Sequence, residues 1–258
     1  MILRRLTEHV RTQNWLAVAL DFLIVVVGVF IGIQVSNEND ARAGRQLGES
    51  YIERLRHDLN KDKVISTNLA VYYATVLESV ETTRRLLRDP EADPYLLVIN
   101  AYRASEIAYV PKTVATWEQI ISSGHLGLIP ERVLDSGITD YFAFDDNEGS
   151  YEAMATSPYR QRVRMIIPAD IQLAMRLGCS DLRDNVGIIR GLVPFDQCNI
   201  AIDPQQLSQT AEALRSDGEL EMLLNLHFSA VTTHRISFVS GTALAEIAIT
   251  SLGPQPNP

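Results

Sequence analysis

The sequence predicts an all-α protein that has one N-terminal transmembrane helix followed by an elongated helical bundle. A single apolar run near the amino terminus is long enough to cross a bilayer. Apolar residues recur at helical spacing through most of the remaining chain, and the alternating pattern of β-strands is almost absent. We therefore expect a short basic segment at 1–14, a transmembrane helix at 15–35, a soluble α-helical domain at 36–252 and a flexible tail at 253–258.

Composition limits the class of protein. Of the 258 residues, 46% are hydrophobic and 21% are charged, which excludes a disordered chain, a collagen-like repeat and a polytopic membrane protein. The formal net charge is −9, and lysine occurs three times. Because nucleic-acid binding needs clustered basic residues, we expect no nucleic-acid partner.

The apolar run extends from Trp15 to Val35, and Asp21 is its only ionisable residue. As a helix it would be about 31 Å long, close to the thickness of a bilayer's hydrocarbon core. A cleaved signal peptide and a buried core helix are the alternatives, but the apolar region of a signal peptide is shorter, roughly 7 to 15 residues. A small-x-small sequence occurs at 41–43, but the polar run 36–40 precedes it. We expect a retained anchor in the lipid bilayer.

Basic residues and cysteines suggest the orientation of this anchor. Three arginines precede the helix, at positions 4, 5 and 11, and two follow it closely, at 42 and 45. The positive-inside rule then favours a cytoplasmic amino terminus. Cys179 and Cys198 would form a disulfide in an oxidising compartment, across a segment that we expect to be loop and short helix. The alternative is two unrelated buried thiols.

One stripe of the predicted helix carries small or acidic residues, namely Ala17, Asp21, Gly28 and Gly32. The Gly-x-x-x-Gly spacing lets two helix backbones approach closely, and an ionisable residue inside a membrane needs a partner or a route to water. The stripe therefore predicts packing against a second helix, from another copy or from another membrane protein. Equally, glycine is common in membrane spans, and Asp21 could be hydrated near the interface.

Two segments resemble an uncharacterised family of bacterial single-span membrane proteins. The first, DFLIVVVGVFIGIQVSN at 21–37, is similar to the family's N-terminal signature, although Glu38 stands where the family commonly has Trp. The second, ATWEQIISSGHLGLI at 115–129, is similar to a later family segment. The resemblance implies a bacterial inner-membrane protein with a helical soluble domain, and it implies no enzymatic activity.

The spacing of apolar residues, together with proline, glycine and aspartate at helix boundaries, predicts where the helices of the soluble part lie. The first runs from about Arg45 to Leu87, as one helix or as two separated at the polar residues 60–63, and the last runs from Glu219 to Ser251. We expect these two long helices to pack antiparallel. About seven helices are expected in all, and the others that we place begin near Pro94, Thr113, Pro130 and Asp203.

No pattern in the sequence indicates catalysis, a cofactor or a metal. Ser122, Ser123 and His125 are neighbours in sequence and fit a helix end closed by Gly124 better than a triad. The acidic run 145–148 lacks the glycine and glutamate positions of a calcium loop. His227 and His234 lie seven apart on a helix, a spacing more typical of ordinary helix residues than of a metal site. Six aromatic residues could line a pocket but fit a core better: Tyr72, Tyr73, Trp117, Tyr141, Phe142 and Phe144.

The features together lead to two hypotheses about function. The first is a periplasmic helical domain for protein-protein interaction, in an accessory subunit of a membrane complex. The alternative is a small-molecule sensor or carrier domain that signals through a partner chain.

Overall fold

The computed structural model describes residues 15–144 and 147–254. The chain divides into two compact units, Met1–Tyr51 and Ile52–Pro258. The predicted basic segment at 1–14 lies outside the described residues, as do residues 255–258 of the predicted tail.

The described part of the first unit belongs to a single helix, α1, which spans Trp15–Leu87. Every residue from 19 to 43 is exposed, including the large apolar side chains of the predicted span. Among the described residues, α1 is the one helix long and apolar enough to cross a membrane. It continues through the polar residues 60–63, so the prediction of one long helix is the correct alternative.

The second unit is helical apart from one small hairpin, which confirms the all-α prediction. After α1 come α2 Pro94–Ala104, α3 Ala115–Ser122, a 3-10 turn His125–Leu128, α4 Glu131–Val133, a π-helical turn Leu134–Ile138, α5 Thr139–Ala143, α6 Asn147–Ala155, α7 Pro158–Ile166, α8 Ala169–Gly178, β1 Asp181–Arg183, β2 Ile189–Leu192, a 3-10 turn Phe195–Gln197, α9 Pro204–Ser216 and α10 Leu220–Ser251.

Helix boundaries follow the sequence signals. The carboxylates of Asp93 and Asp203 accept hydrogen bonds from the backbone N–H groups of Tyr95 at 2.8 Å and Gln205 at 3.2 Å, and proline occupies the first position of both helices. Gly124, just after α3, has a left-handed φ of 69°. These caps explain why α2, α3 and α9 begin or end close to the predicted positions.

The second half of α1 packs against α10, and the contacts run in opposite chain directions. Arg88 pairs with Glu221 at one end, and Lys63 Nζ lies 2.7 Å from Glu246 toward the other. Between them, the ring centroids of Tyr73 and His234 are 4.7 Å apart. The predicted antiparallel packing of these two helices is therefore correct.

Three regions differ from the sequence-based expectation. The helix expected from Pro130 to Phe144 is interrupted at Ser136 and Gly137, where the backbone is not helical. Helices α7 and α8, and most of α6, were not predicted, although Pro158 stands at the first position of α7 and Pro168 directly precedes α8. The expected loop and short helix between the cysteines contains an antiparallel hairpin, with Asp181 opposite Leu192 and a bulge between Leu182 and Arg183.

Gly137 has a physical reason to interrupt its helix. Its φ is +95°, and a Cβ at this position would lie 2.9 Å from Cγ2 of Ile247 on α10. A glycine therefore permits both the left-handed turn and the close approach of α10.

We predict that Gly137→Ala lowers the free energy of unfolding by roughly 1 to 3 kcal/mol, because it forces a left-handed alanine against Ile247. Chemical denaturation of the detergent-solubilised chain measures this change. Gly218→Ala is the matched control, since a Cβ there meets no atom within 4 Å and the backbone is not left-handed. Equal stability of the two variants would contradict the prediction.

Candidate functional site

The predicted packing stripe lies on the exposed part of α1. Asp21, Gly28 and Gly32 are all exposed, and a Cβ at either glycine would meet no atom within 4 Å. The side chain of Ala17 lies outside the described part of the chain. The stripe is open to contact, and its role in helix packing stays a prediction.

Ser122, Ser123 and His125 occupy a helix end, as the sequence favours. The Ser122 hydroxyl donates to the backbone carbonyl of Gln119 at 3.3 Å, and His125 begins the 3-10 turn that follows Gly124. Asp145 and Asp146 lie outside the described residues, and α6 begins at the next residue. Among the described residues, no group of three His, Cys, Asp or Glu side chains could hold a metal ion.

Both histidines of α10 are buried in the core. His227 donates from Nε2 to the carbonyl of Ala104 at 3.0 Å, and Nδ1 accepts from the Ser157 hydroxyl at 2.8 Å. Burial lowers the pKa of His227 to about 4. His234 packs edge-on against the rings of Tyr73 and Phe238.

Five of the six candidate aromatic residues pack against one another, and the half-buried Phe144 lies near Lys112. Tyr72 and Tyr73 are fully buried and meet edge to face at 5.1 Å. Trp117 stacks on Phe142 with ring centroids 4.8 Å apart. Core packing, the preferred interpretation from sequence, agrees with these contacts.

A cleft of about 800 Å³ lies in the second unit. The α1 residues between Val71 and Leu86 form one wall, and Leu96, Asn100 and Arg103 of α2 form the second. The third wall is the segment from Leu182 to Asp196. This volume falls within the range of ligand pockets, roughly 300 to 1,000 Å³.

One disulfide and two hydrogen bonds from Arg103 hold the third wall in place. The disulfide between Cys179 and Cys198 closes the segment at its base, with a Cα–Cα distance of 4.8 Å. Nη1 of Arg103 donates to the carbonyl of Val193 at 2.8 Å and to that of Cys179 at 3.4 Å. The predicted disulfide therefore has a specific structural role, since it fixes one side of the cleft.

Arg103 is a buried cation in the wall of the cleft. Its side chain is 1% exposed, and its Nε has no hydrogen-bond partner among the described residues. Both of the hydrogen bonds that it donates come from Nη1 and go to neutral carbonyls. Burial lowers the pKa of Arg103, although the nearby carboxylate of Glu106 opposes that shift.

The buried carboxylate of Glu106 forms ion pairs with two other arginines. Glu106 is 1% exposed, and its oxygens lie 3.1 Å from Arg164 and 3.9 Å from Arg176. Arg164 also lies over the ring of Tyr102 at 3.5 Å, and Arg160 donates to the carbonyl of Ser105. These contacts leave Arg103 without an ion pair to any described carboxylate.

Neither Arg103 nor the cleft is evident from the sequence. The one local signal is that Arg103 lies in the last turn of an apolar helix, PYLLVINAYRA, in which every residue from Leu97 onward is buried. A lone arginine at such a position indicates a special role. The carbonyls that it contacts come from residues 76 and 90 positions later, and sequence spacing could not reveal them.

Comparison of the chain with protein-family models, curated proteins and solved structures finds no match. The family resemblance therefore rests on the two sequence segments. The later segment forms α3 and the 3-10 turn after it.

We predict that the stability of the protein falls as pH decreases from about 6.5 to about 4, because the unfolded chain protonates His227 while the folded chain keeps it neutral. The loss over this window is roughly 3 kcal/mol for the single group. Unfolding free energies measured across the window for the wild type and His227→Gln test this. The variant should have a shallower pH dependence, whereas the exposed control His57→Gln should keep the wild-type slope. Parallel slopes for the wild type and His227→Gln would contradict the prediction.

Proposed function

We propose that the protein is a single-pass protein of the bacterial inner membrane, with a cytoplasmic amino terminus and a periplasmic helical domain. The domain serves protein-protein interaction, and the protein acts as an accessory subunit of a membrane complex. The exposed apolar surface of α1 between residues 19 and 35 supports the anchor, because such a surface is stable in lipid and not in water.

The disulfide supports a periplasmic position for the second unit. Disulfides persist in oxidising compartments such as the periplasm and are rare in the cytosol. Cys179 and Cys198 are the two cysteines of the chain, and they are bonded to each other. The arginine distribution of the sequence favours the same orientation.

The outward face of α10 is the single observation that best supports an interaction role. Large apolar side chains on this face are between 49% and 64% exposed: Met222, Leu226, Ile236 and Val239. From residue 222 to residue 243, none of the exposed positions of α10 carries a charge. A helix that faces water normally has charged residues on that side, so this face is suited to a protein partner.

Topology is the first test. A reporter fused after Pro258 should be active in the periplasm, because the positive-inside rule keeps the amino terminus in the cytoplasm. In the same cells, Cys179 and Cys198 should resist alkylation in denatured, unreduced protein and react after reduction. Cytoplasmic reporter activity or free thiols would contradict the proposed orientation.

Association is the second test, and it separates the two candidate surfaces. Gly28→Leu combined with Gly32→Leu should leave insertion intact and reduce association, if the stripe packs against another helix of a second copy or of another membrane protein. Leu226→Arg combined with Ile236→Arg should reduce association at least about tenfold if the α10 face is buried in the partner.

Crosslinking and co-purification from native membranes at equal expression measure both effects. Glu212→Arg, an exposed charge change on α9, is the control. Unchanged association in both double variants would argue against interaction through either surface.

A second candidate function is a small-molecule sensor or carrier that signals through a partner chain. The observation that favours it is the cleft, because it is concave, partly apolar and contains the buried Arg103. The aromatic residues that suggested this function from sequence are not its basis, since none of them lines the cleft. We propose no catalytic activity for this chain.

A further inference from the structure

We propose that the cleft binds a small amphiphilic monocarboxylate, whose carboxylate pairs with Arg103 and whose apolar body lies between α2 and the segment around Phe195. The proposal rests on the second candidate function and names its ligand class. It follows from three properties of the cleft: an unpaired buried cation, partly exposed apolar walls and nearly balanced charge.

The buried guanidinium of Arg103 would be stabilised by an anion. A buried charge is costly unless it is paired and hydrogen-bonded. Arg103 uses Nη1 for two neutral carbonyls, while its Nε has no partner among the described residues. Arg103 lines the cleft and has no ion pair with a described carboxylate, so a carboxylate that enters the cleft can supply the missing charge partner.

The walls of the cleft favour a ligand with an apolar body. Four apolar side chains that line it are between 36% and 55% exposed: Val71, Leu96, Leu182 and Phe195. A purely polar anion would leave these surfaces in water. An aliphatic or aromatic body attached to the carboxylate would cover them and contribute to binding.

The charges of the cleft favour a monoanion over a phosphate group. Arg85, Arg103 and Arg190 line it together with the carboxylates of Glu78 and Asp196. Arg190 is already paired with Asp184, at 2.7 Å. Two cations and two anions then remain, so a doubly charged group would meet repulsion that a single carboxylate largely avoids.

The experiment uses three probes and the full chain in detergent micelles. Isothermal titration calorimetry compares 3-phenylpropionate, the neutral 3-phenyl-1-propanol of similar shape, and inorganic phosphate. The carboxylate should bind about 10 to 100 times more tightly than the alcohol, the factor expected for a charged hydrogen-bonded pair. Inorganic phosphate should bind more weakly than the carboxylate.

Variants place the binding in the cleft. Arg103→Gln should abolish the preference for the carboxylate, but it also removes the contacts to Val193 and Cys179 and could disturb folding. Thr82→Trp therefore fills the cleft from the α1 wall without changing Arg103, and Thr233→Trp on the exposed face of α10 is its matched control. Thr82→Trp should lose carboxylate binding, and Thr233→Trp should retain it.

The outcomes separate this proposal from the candidate function on which it rests. Equal binding of 3-phenylpropionate by the wild type and Thr82→Trp would overturn the cleft as its site, as would no binding to the wild type at millimolar concentration. Tighter binding of phosphate or of the alcohol, lost in Thr82→Trp, would overturn the carboxylate class while leaving the sensor or carrier function in place.

Discussion

The antiparallel packing of α1 against α10 is the constraint on which the second unit depends. Tyr73, His234 and Phe238 form its centre, with Tyr73 and Phe238 stacked at 5.7 Å. The Tyr73 hydroxyl also donates to the carbonyl of Ala108 at 2.6 Å, which ties the segment after α2 to this helix pair. Shorter elements, including α6, α7 and the π-helical turn, then contact α10. Burial of large rings along two long helices thus provides the surface on which the smaller helices pack.

Local sequence signals were sufficient for the two long helices and for two of the shorter ones. Periodicity predicted α1 and α10, and the Asp-Pro pairs predicted where α2 and α9 begin. The turn at Gly137 could not be predicted, because its cause is the approach of Ile247, more than a hundred residues later. Helices α7 and α8 are short and depend on tertiary burial of residues such as Tyr159, Ile171 and Met175. Arg103 and the cleft were missed for the same reason, since their geometry exists only after the chain folds.

A buried carboxylate on α1 also holds the loop between α2 and α3 by hydrogen bonds. Asp62 on α1 is 4% exposed and accepts hydrogen bonds from the backbone N–H of Thr113 at 2.9 Å and from the hydroxyl of Tyr141 at 2.8 Å. Burial, followed by the negative charge of Asp62, raises the pKa of Tyr141, so this phenol stays protonated and keeps donating. The polar residues 60–63, which suggested a break in α1, thus include a buried anchor for the loop between α2 and α3.

The α1 helix joins the two surfaces to which we assign function. Thr75, Ser79 and Thr82 face the cleft, whereas Tyr73 packs against the inner side of α10. The exposed apolar face of α10 lies on the opposite side of that helix from His234 and Phe238. A ligand in the cleft and a protein partner on α10 would therefore occupy different surfaces and could be bound together. Two direct connections link the surfaces: the packed side chains between α1 and α10, and the hydrogen bond from His227 of α10 to Ala104 of α2, which follows Arg103 in the wall of the cleft.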